Sequence, residues 1–227
     1  MSQLPPSSLP SAILFDLDGT LVDSLPDLAW AMNQLLVTLG RAPATLAAVR
    51  SWVGDGAGVL VERGLLASGG LPDQPLADIV KQFLAFYRGH AAVDSRVYPG
   101  VLKALTALKA AGHPLGVCTN KPTDLSRIVL RELGLDGLFS AVIGGDGVEK
   151  RKPHPEHVRA TLASMQAEGR RALMIGDSRN DVAAAKAAGI PVVMVSFGYC
   201  QDAPAAMGAD VVIDSFADLA EKAARFL

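Results

Sequence analysis

The sequence predicts a doubly wound α/β protein, a mostly parallel sheet with a helical unit inserted after its first strand. Three observations carry this. A short apolar run, Ala12-Ile13-Leu14-Phe15, leads into Asp16-Leu17-Asp18-Gly19. After Tyr98-Pro99-Gly100, short apolar segments alternate with amphipathic ones, the pattern of strands joined by crossover helices. Between these parts, residues 25–95 show only helical periodicity, over a stretch long for a single crossover.

The first run reads as a buried parallel strand. On an extended chain residues i and i+2 point to one side, so Asp16 and Asp18 aim two carboxylates at one small volume. That volume lies at the strand's C-terminal end, where open α/β sheets hold ligands. Gly19 lets the chain turn sharply, with Thr20 next. Two like charges so close need a shared proton, a metal ion or a cation. Asp-x-Asp alone is equally compatible with a solvated strand-end turn. The full string Asp16 to Thr20 behind an apolar strand is more specific.

Pro26-Asp27 opens a helical run with Leu28, Met32, Leu35, Leu36 and Leu39, stopped at Gly40. A second helix spans Ala44 to Trp52 and ends at Val53-Gly54-Asp55-Gly56-Ala57-Gly58. A third runs from Val59 to about Ala67, and a fourth, Leu76 to His90, carries Ile79, Val80, Phe83, Leu84 and Tyr87. We read a small helical bundle here, in preference to crossovers packed on the sheet. Helices follow at Val101 to Ala111, Thr123 to Leu133, Pro155 to Gln166 and Asp181 to Ala188. Strands are expected at Leu115 to Thr119, Ala141 to Gly144, Ala172 to Gly176, Val192 to Val195 and Val211 to Ile213. The whole is a Rossmann-like arrangement, with helices on both faces of the sheet. The expected division is a flexible leader over 1–10, an α/β core from 11–24 and 96–227, and the helical insert over 25–95.

Composition narrows the function. The chain has 227 residues, 50% of them hydrophobic, enough for a sizeable core in one or two domains. Its net charge is −2, and no basic stripe suggests nucleic acid or an acidic membrane surface. No apolar run approaches the ~20 residues of a membrane span. The Pro/Ser-rich start lacks the features of a signal peptide. Cys118 and Cys200 make no secreted disulfide framework, so reduced thiols in a cytoplasmic protein are expected.

Three further strand ends carry polar residues. Thr119-Asn120-Lys121-Pro122 places a hydroxyl and an amide where both could donate to a phosphoryl oxygen, although a capping threonine would look the same. In Lys150-Arg151-Lys152-Pro153-His154-Pro155, Lys152 directly precedes Pro-x-Pro and reads as a fixed cation. His154 and His157 have no further His or Cys nearby, and metal binding by histidine is set aside. Gly176-Asp177-Ser178-Arg179-Asn180-Asp181 puts Asp177 at a strand end and Asp181 in the first turn of a helix; either alone could be a helix cap. Asp16, Asp18, Asp177 and Asp181 together oppose one lysine. A phosphate dianion needs more positive charge, and a hard divalent cation such as Mg²⁺ fits oxygen ligands of this kind.

In this order the four motifs resemble those of the haloacid dehalogenase-like phosphatases, over essentially the whole chain after the leader. Residues 25–95 look like that family's helical cap. Trp52 to Ala57, Thr119 to Thr123, Val142 to Asp146 and Gly176 to Asp181 are similar to its bacterial phosphoglycolate phosphatase branch, while Phe197-Gly198-Tyr199-Cys200 departs from that pattern after Gly-Tyr. The resemblance implies Mg²⁺-dependent hydrolysis of a small phosphorylated metabolite, 2-phosphoglycolate foremost, through an aspartyl-phosphate. A muramic-acid 6-phosphate phosphatase, a pyrophosphatase or a sugar-phosphate mutase has similar core motifs. The roles implied are Asp16 as nucleophile, Asp18 as general acid and base, and Thr119, Asn120 and Lys152 as stabilisers of the phosphoryl oxygens. Mg²⁺ is expected on Asp16, Asp177 and the Asp18 carbonyl, with Asp181 acting through water or by holding Lys152. The protein is expected to act as a monomer or homodimer.

A carboxylate on the substrate needs its own partner. The Gly54 to Gly58 loop offers free N–H groups at a helix start. Arg63, just over a turn into that helix, is the nearest basic side chain and could pair with a carboxylate. A solvated arginine paired with a surface acid is an equal alternative.

Overall fold

The computed structural model describes residues 10–200 and 202–227. The expected leader therefore lies outside the described residues, apart from Pro10. Strand β1 (Ala12–Phe15) is buried at all four positions because parallel neighbours flank it on both sides. These are β4 (Leu115–Cys118) and β6 (Ala172–Gly176). With β5 (Ala141–Ile143), β7 (Val192–Val195) and β8 (Val211–Ile213), the sheet order is β5-β4-β1-β6-β7-β8, parallel throughout.

Alternation along β1 feeds two cores. Ile13 and Phe15 pack with Val101 and Leu105 of α5 (Val101–Ala110), Val129 and Leu130 of α6 (Thr123–Glu132), and Leu219 of α9 (Leu219–Lys222). Ala12 and Leu14 face the other way, toward Val158 of α7 (Pro155–Ser164) and Val182 and Ala185 of α8 (Arg179–Ala188). From β1 the chain winds outward to β4 and β5, then returns to the opposite side for β6, β7 and β8. The order thus reverses between β1 and β6, which opens a crevice beyond their C-terminal ends.

Four helices fill the insert: α1 (Leu25–Thr38), α2 (Leu46–Trp52), α3 (Ala57–Ala67) and α4 (Leu76–His90). Met32, Leu35, Val61, Leu65, Ile79 and Phe83 bury one another in a separate core. That core reaches Leu125 of α6 and Tyr199 after β7, so the insert sits on the strand ends. The two chain crossings are zipped together, with β2 (Val22–Asp23) antiparallel to β3 (Arg96–Val97). Buried Asp27 in the first turn of α1 reinforces the join by accepting from the Asp94 N–H, the Ser95 N–H and the Ser95 hydroxyl.

Most differences from the expected elements are local. Helix α2 starts at Leu46 because Thr45 is extended and its side chain caps the Ala48 N–H. Helix α3 starts at Ala57, directly after Gly56 at φ 86°. Helix α8 starts at Arg179, which makes Asp181 the third residue of its first turn. The β2–β3 ribbon was not anticipated, since two-residue strands have no readable period. No helix among the described residues is long and apolar enough to cross a membrane.

Candidate active site

The fold brings Asp16, Asp18, Thr119, Lys152, Asp177 and Asp181 to the crevice at the reversal point. Asp16 follows β1, and its N–H donates to Ile175 of the neighbouring strand at 2.9 Å. Lys152 is buried and its backbone N–H donates to His157 Nδ1 at 3.2 Å. Burial holds the His157 ring down at about 4, so it accepts as a neutral imidazole. The Lys152 ammonium donates to the Cys118 carbonyl and to Asp181 Oδ1, each at 2.6 Å. It also lies 3.1 Å from Asp16 Oδ1, at an angle that makes no hydrogen bond, and that oxygen has no other partner among the described residues. Burial alone would lower the Lys152 ammonium, but Asp16 and Asp181 override it and hold it above the usual lysine range.

Asp177 follows β6. Its carboxylate accepts from the Tyr199 N–H at 2.7 Å and the Thr20 hydroxyl at 3.3 Å. Gly19 adopts φ 81°, and a Cβ there would stand 2.4 Å from Asp177 Oδ2. The turn after Asp18 thus needs glycine both for its conformation and for the close approach of that carboxylate. One oxygen each from Asp16, Asp177 and Asp181 lies within 4.8 Å of the others. Asp181 is already engaged on both sides, since Oδ1 takes Lys152 and Oδ2 accepts from the Ser178 N–H and hydroxyl. Asp16 and Asp177 remain. Burial raises Asp16 to about 6, with Lys152 opposing and Asp181 adding to the rise. Burial, then Asp16 and Asp181, push Asp177 well up from its usual value. Two buried carboxylates that resist ionisation, one with an unbonded oxygen, fit a hard divalent cation.

On the other side of the crevice, Asp18 Oδ1 accepts from the Ser24 hydroxyl at 2.5 Å. The Lys121 ammonium lies 2.9 and 3.1 Å from the two Asp18 oxygens and 2.6 Å from the Tyr87 hydroxyl of α4. Burial would lower Lys121, but Asp18 and Tyr87 hold it above its usual range. Sequence reading assigned no role to Lys121 or Tyr87. The lysine's position directly after Thr119-Asn120 was the available signal; Tyr87 looked like one more apolar-face residue of its helix. Tyr199 was also missed. Its hydroxyl accepts from the Ser24 and Leu25 N–H groups and donates to Asp23 at 2.8 Å, tying β7's loop to the start of α1.

Two expected substrate contacts are occupied by protein partners. The Asn120 amide donates to Gly54 at 3.1 Å and to the Lys152 carbonyl at 3.0 Å, joining the insert's loop to the lysine loop. Both of its donors are spent, so it does not present them to a phosphoryl oxygen in this arrangement. Arg63 pairs with Asp55 at 2.5 Å and donates to the Trp52 carbonyl at 3.2 Å. Asp55 in turn accepts from the Asn180 amide of α8 at 2.7 Å. Arg63 thus lines an outer pocket with Arg50 and Arg179. The inner cavity, about 40 Å³, lies against Asp16, Asp18, Thr119, Lys121 and Tyr87, with apolar walls from Leu60, Phe83 and Leu125. Among the charged side chains lining it, Lys121 is the cation.

Residues 10–189 match the model of a family described as haloacid dehalogenase-like hydrolase. The phosphoglycolate phosphatase of Rhodospirillum rubrum is 46% identical over 218 residues, spanning 94% of this chain and 90% of that protein. The crystal structure of a predicted phosphoglycolate phosphatase from Haemophilus somnus superposes with a TM-score of 0.87 at 37% identity, covering 93% of this chain and 96% of that one. CbbY from Rhodobacter sphaeroides, solved in complex with phosphate, gives a TM-score of 0.80 at 28% identity, with coverage of 93% and 96%.

Proposed function

The chain belongs to the haloacid dehalogenase-like hydrolase family and is a phosphoglycolate phosphatase-like phosphoric monoester hydrolase; from that premise we propose that it hydrolyses 2-phosphoglycolate to glycolate and phosphate. In the first step an Asp16 oxygen attacks phosphorus, and the ester oxygen leaves with a proton from Asp18. In the second, Asp18 takes a proton from the water that attacks the aspartyl-phosphate, which frees phosphate and restores Asp16. Thr119 and Lys152 stand beside Asp16 and stabilise charge on the phosphoryl oxygens. Mg²⁺ would be held by Asp16, Asp177 and the Asp18 carbonyl, and would supply the positive charge that lets a dianion approach two carboxylates. Asp181 acts through Lys152. Residues 25–95 serve as a cap over the core of 11–24 and 96–227, and its docking shields the intermediate from premature water.

The observation that carries this reading is the lining of the inner cavity, which sets Asp16, Asp18, Thr119 and Lys121 around one space. Its 40 Å³ holds roughly three water-sized groups beside Asp16 and Asp18. One cation on its wall and apolar side chains opposite suit a small substrate that carries a second anion, as phosphoglycolate does. Phosphate release from a panel of monoesters tests it. The expected result is the highest kcat/KM for phosphoglycolate over sugar phosphates, muramic-acid 6-phosphate and pyrophosphate. Activity should vanish with chelator and return with Mg²⁺. A preference for a sugar phosphate would overturn the substrate, and full activity in excess chelator would overturn the metal.

A further inference from the structure

We infer that Lys121 and Tyr87 form the subsite that receives a carboxylate on the leaving-group side of the substrate. The inference rests on the phosphatase reading above and names the selector within the same site. An ammonium carries three N–H donors. The two Asp18 oxygens belong to one carboxylate and lie too close together for two tetrahedral N–H bonds, so one donor serves both. A second donates to the Tyr87 hydroxyl. The third has no acceptor among the described residues. The Tyr87 hydroxyl accepts from Lys121, and its own proton likewise has no acceptor among them.

Both groups line the inner cavity and both are buried, with the Lys121 side chain 3% exposed. The walls opposite are apolar and offer these donors no acceptor. Two unpaired donors, one of them charged, line the cavity beside Asp16 and Asp18. A carboxylate there accepts from both. A neutral hydroxymethyl group there brings one oxygen and no charge, so it cannot serve both donors as a carboxylate does, and sites built to hydrogen-bond a group discriminate against analogues that lack it.

The subsite is shared between two parts of the chain. Lys121 comes from the loop after β4 and Tyr87 from α4, so it is complete only while the helices rest on the strand ends. The inner position of Lys121 also separates it from Arg63, which stands in the outer pocket with its guanidinium on Asp55.

The test compares phosphoglycolate with 2-hydroxyethyl phosphate, which has the same length and a neutral hydroxymethyl group in place of the carboxylate. For Lys121→Met, kcat/KM on phosphoglycolate is expected to fall about 100-fold or more, largely through KM. On 2-hydroxyethyl phosphate the fall should be about tenfold or less, reflecting only the lost partner of Asp18. Tyr87→Phe removes one hydroxyl and should raise KM for phosphoglycolate about tenfold, with a several-fold smaller change for the neutral ester. Equal losses on both esters, in a protein whose wild type prefers phosphoglycolate, would overturn the subsite and leave the proposed reaction standing. A wild type with no preference for the carboxylate would overturn both. Should Lys121→Met fail to fold, Tyr87→Phe decides alone: a selective KM effect supports the subsite, and its absence overturns it.

Discussion

The Lys152 ammonium is held by Asp181 at 2.6 Å, closer than it stands to Asp16 at 3.1 Å. Asp181 thus keeps the cation beside the attacking carboxylate without letting it close onto it. With Asp181→Asn, Lys152 keeps Asp16 as its anionic partner and moves onto it. We expect kcat to fall about 10- to 100-fold, with the apparent Mg²⁺ affinity within about threefold of wild type. Asp177→Asn should instead weaken apparent Mg²⁺ affinity at least about tenfold. Mg²⁺ titrations of the two variants check the division; equal losses of metal affinity would contradict it.

Asp16→Asn should abolish turnover and yet stabilise the metal-free fold. The Asp16 carboxyl sits at about 6, above its ordinary 3.8, mainly through burial. The folded chain keeps that proton over a range where the unfolded chain has lost it. Stability from this group is fully present below pH 3.8 and is lost as pH rises through about 6. At about pH 8 in chelator, Asp16→Asn should gain about 1–3 kcal/mol, or about 2–10 °C in Tm. Thermal melts across pH should show the gain shrinking toward acid; a variant less stable than wild type at neutral pH would refute the argument.

Asp18→Asn removes the proton donor for the leaving oxygen. An alkoxide needs that proton, and a nitrophenoxide needs it much less. Hydrolysis of alkyl phosphates should slow about 100-fold or more, and hydrolysis of p-nitrophenyl phosphate about tenfold or less. Matched steady-state assays decide, and equal losses would remove Asp18 from the role.

Arg63→Ala now carries a different expectation from the one its place after the Gly54 to Gly58 loop suggests. Its charge is spent on Asp55, which accepts from Asn180. Losing it should loosen that clasp and lower kcat/KM for phosphoglycolate and for a neutral aryl phosphate alike, by about two- to fivefold. A selective loss on phosphoglycolate would restore Arg63 as the carboxylate partner.

Asp27→Ala tests the join between the two chain crossings. It would leave the Asp94 N–H, the Ser95 N–H and the Ser95 hydroxyl without their acceptor. Denaturant titration should show a loss of about 2–4 kcal/mol. A loss well under 1 kcal/mol would mean that the β2–β3 ribbon suffices.

Much of the site was legible because its information is local. The Asp16 and Asp18 pattern, Thr119, Lys152, and the Asp177 and Asp181 pair each sit at the end of an apolar run, and β-strand geometry puts the end of a parallel strand at the ligand edge. Strand and helix positions followed for the same reason, since burial on both faces of a sheet writes itself as short apolar runs. The two-residue strands β2 and β3 left no such trace, and only the meeting of two chain crossings creates them.

Partner choice was not local. Lys121 finds Asp18 across 103 residues and Tyr87 across 34, and Arg63 is drawn to Asp55 by a loop whose course no periodicity reveals. The sequence by itself determined the α/β sheet, the helical insert and the strand ends that carry the charged groups, because strand, helix and turn preferences act over a few neighbouring residues. Only the tertiary structure decided which cation reaches the inner cavity, since that depends on how α4 packs over the loop after β4, and a buried ammonium goes wherever packing leaves it an anion and a hydroxyl within 3.1 Å.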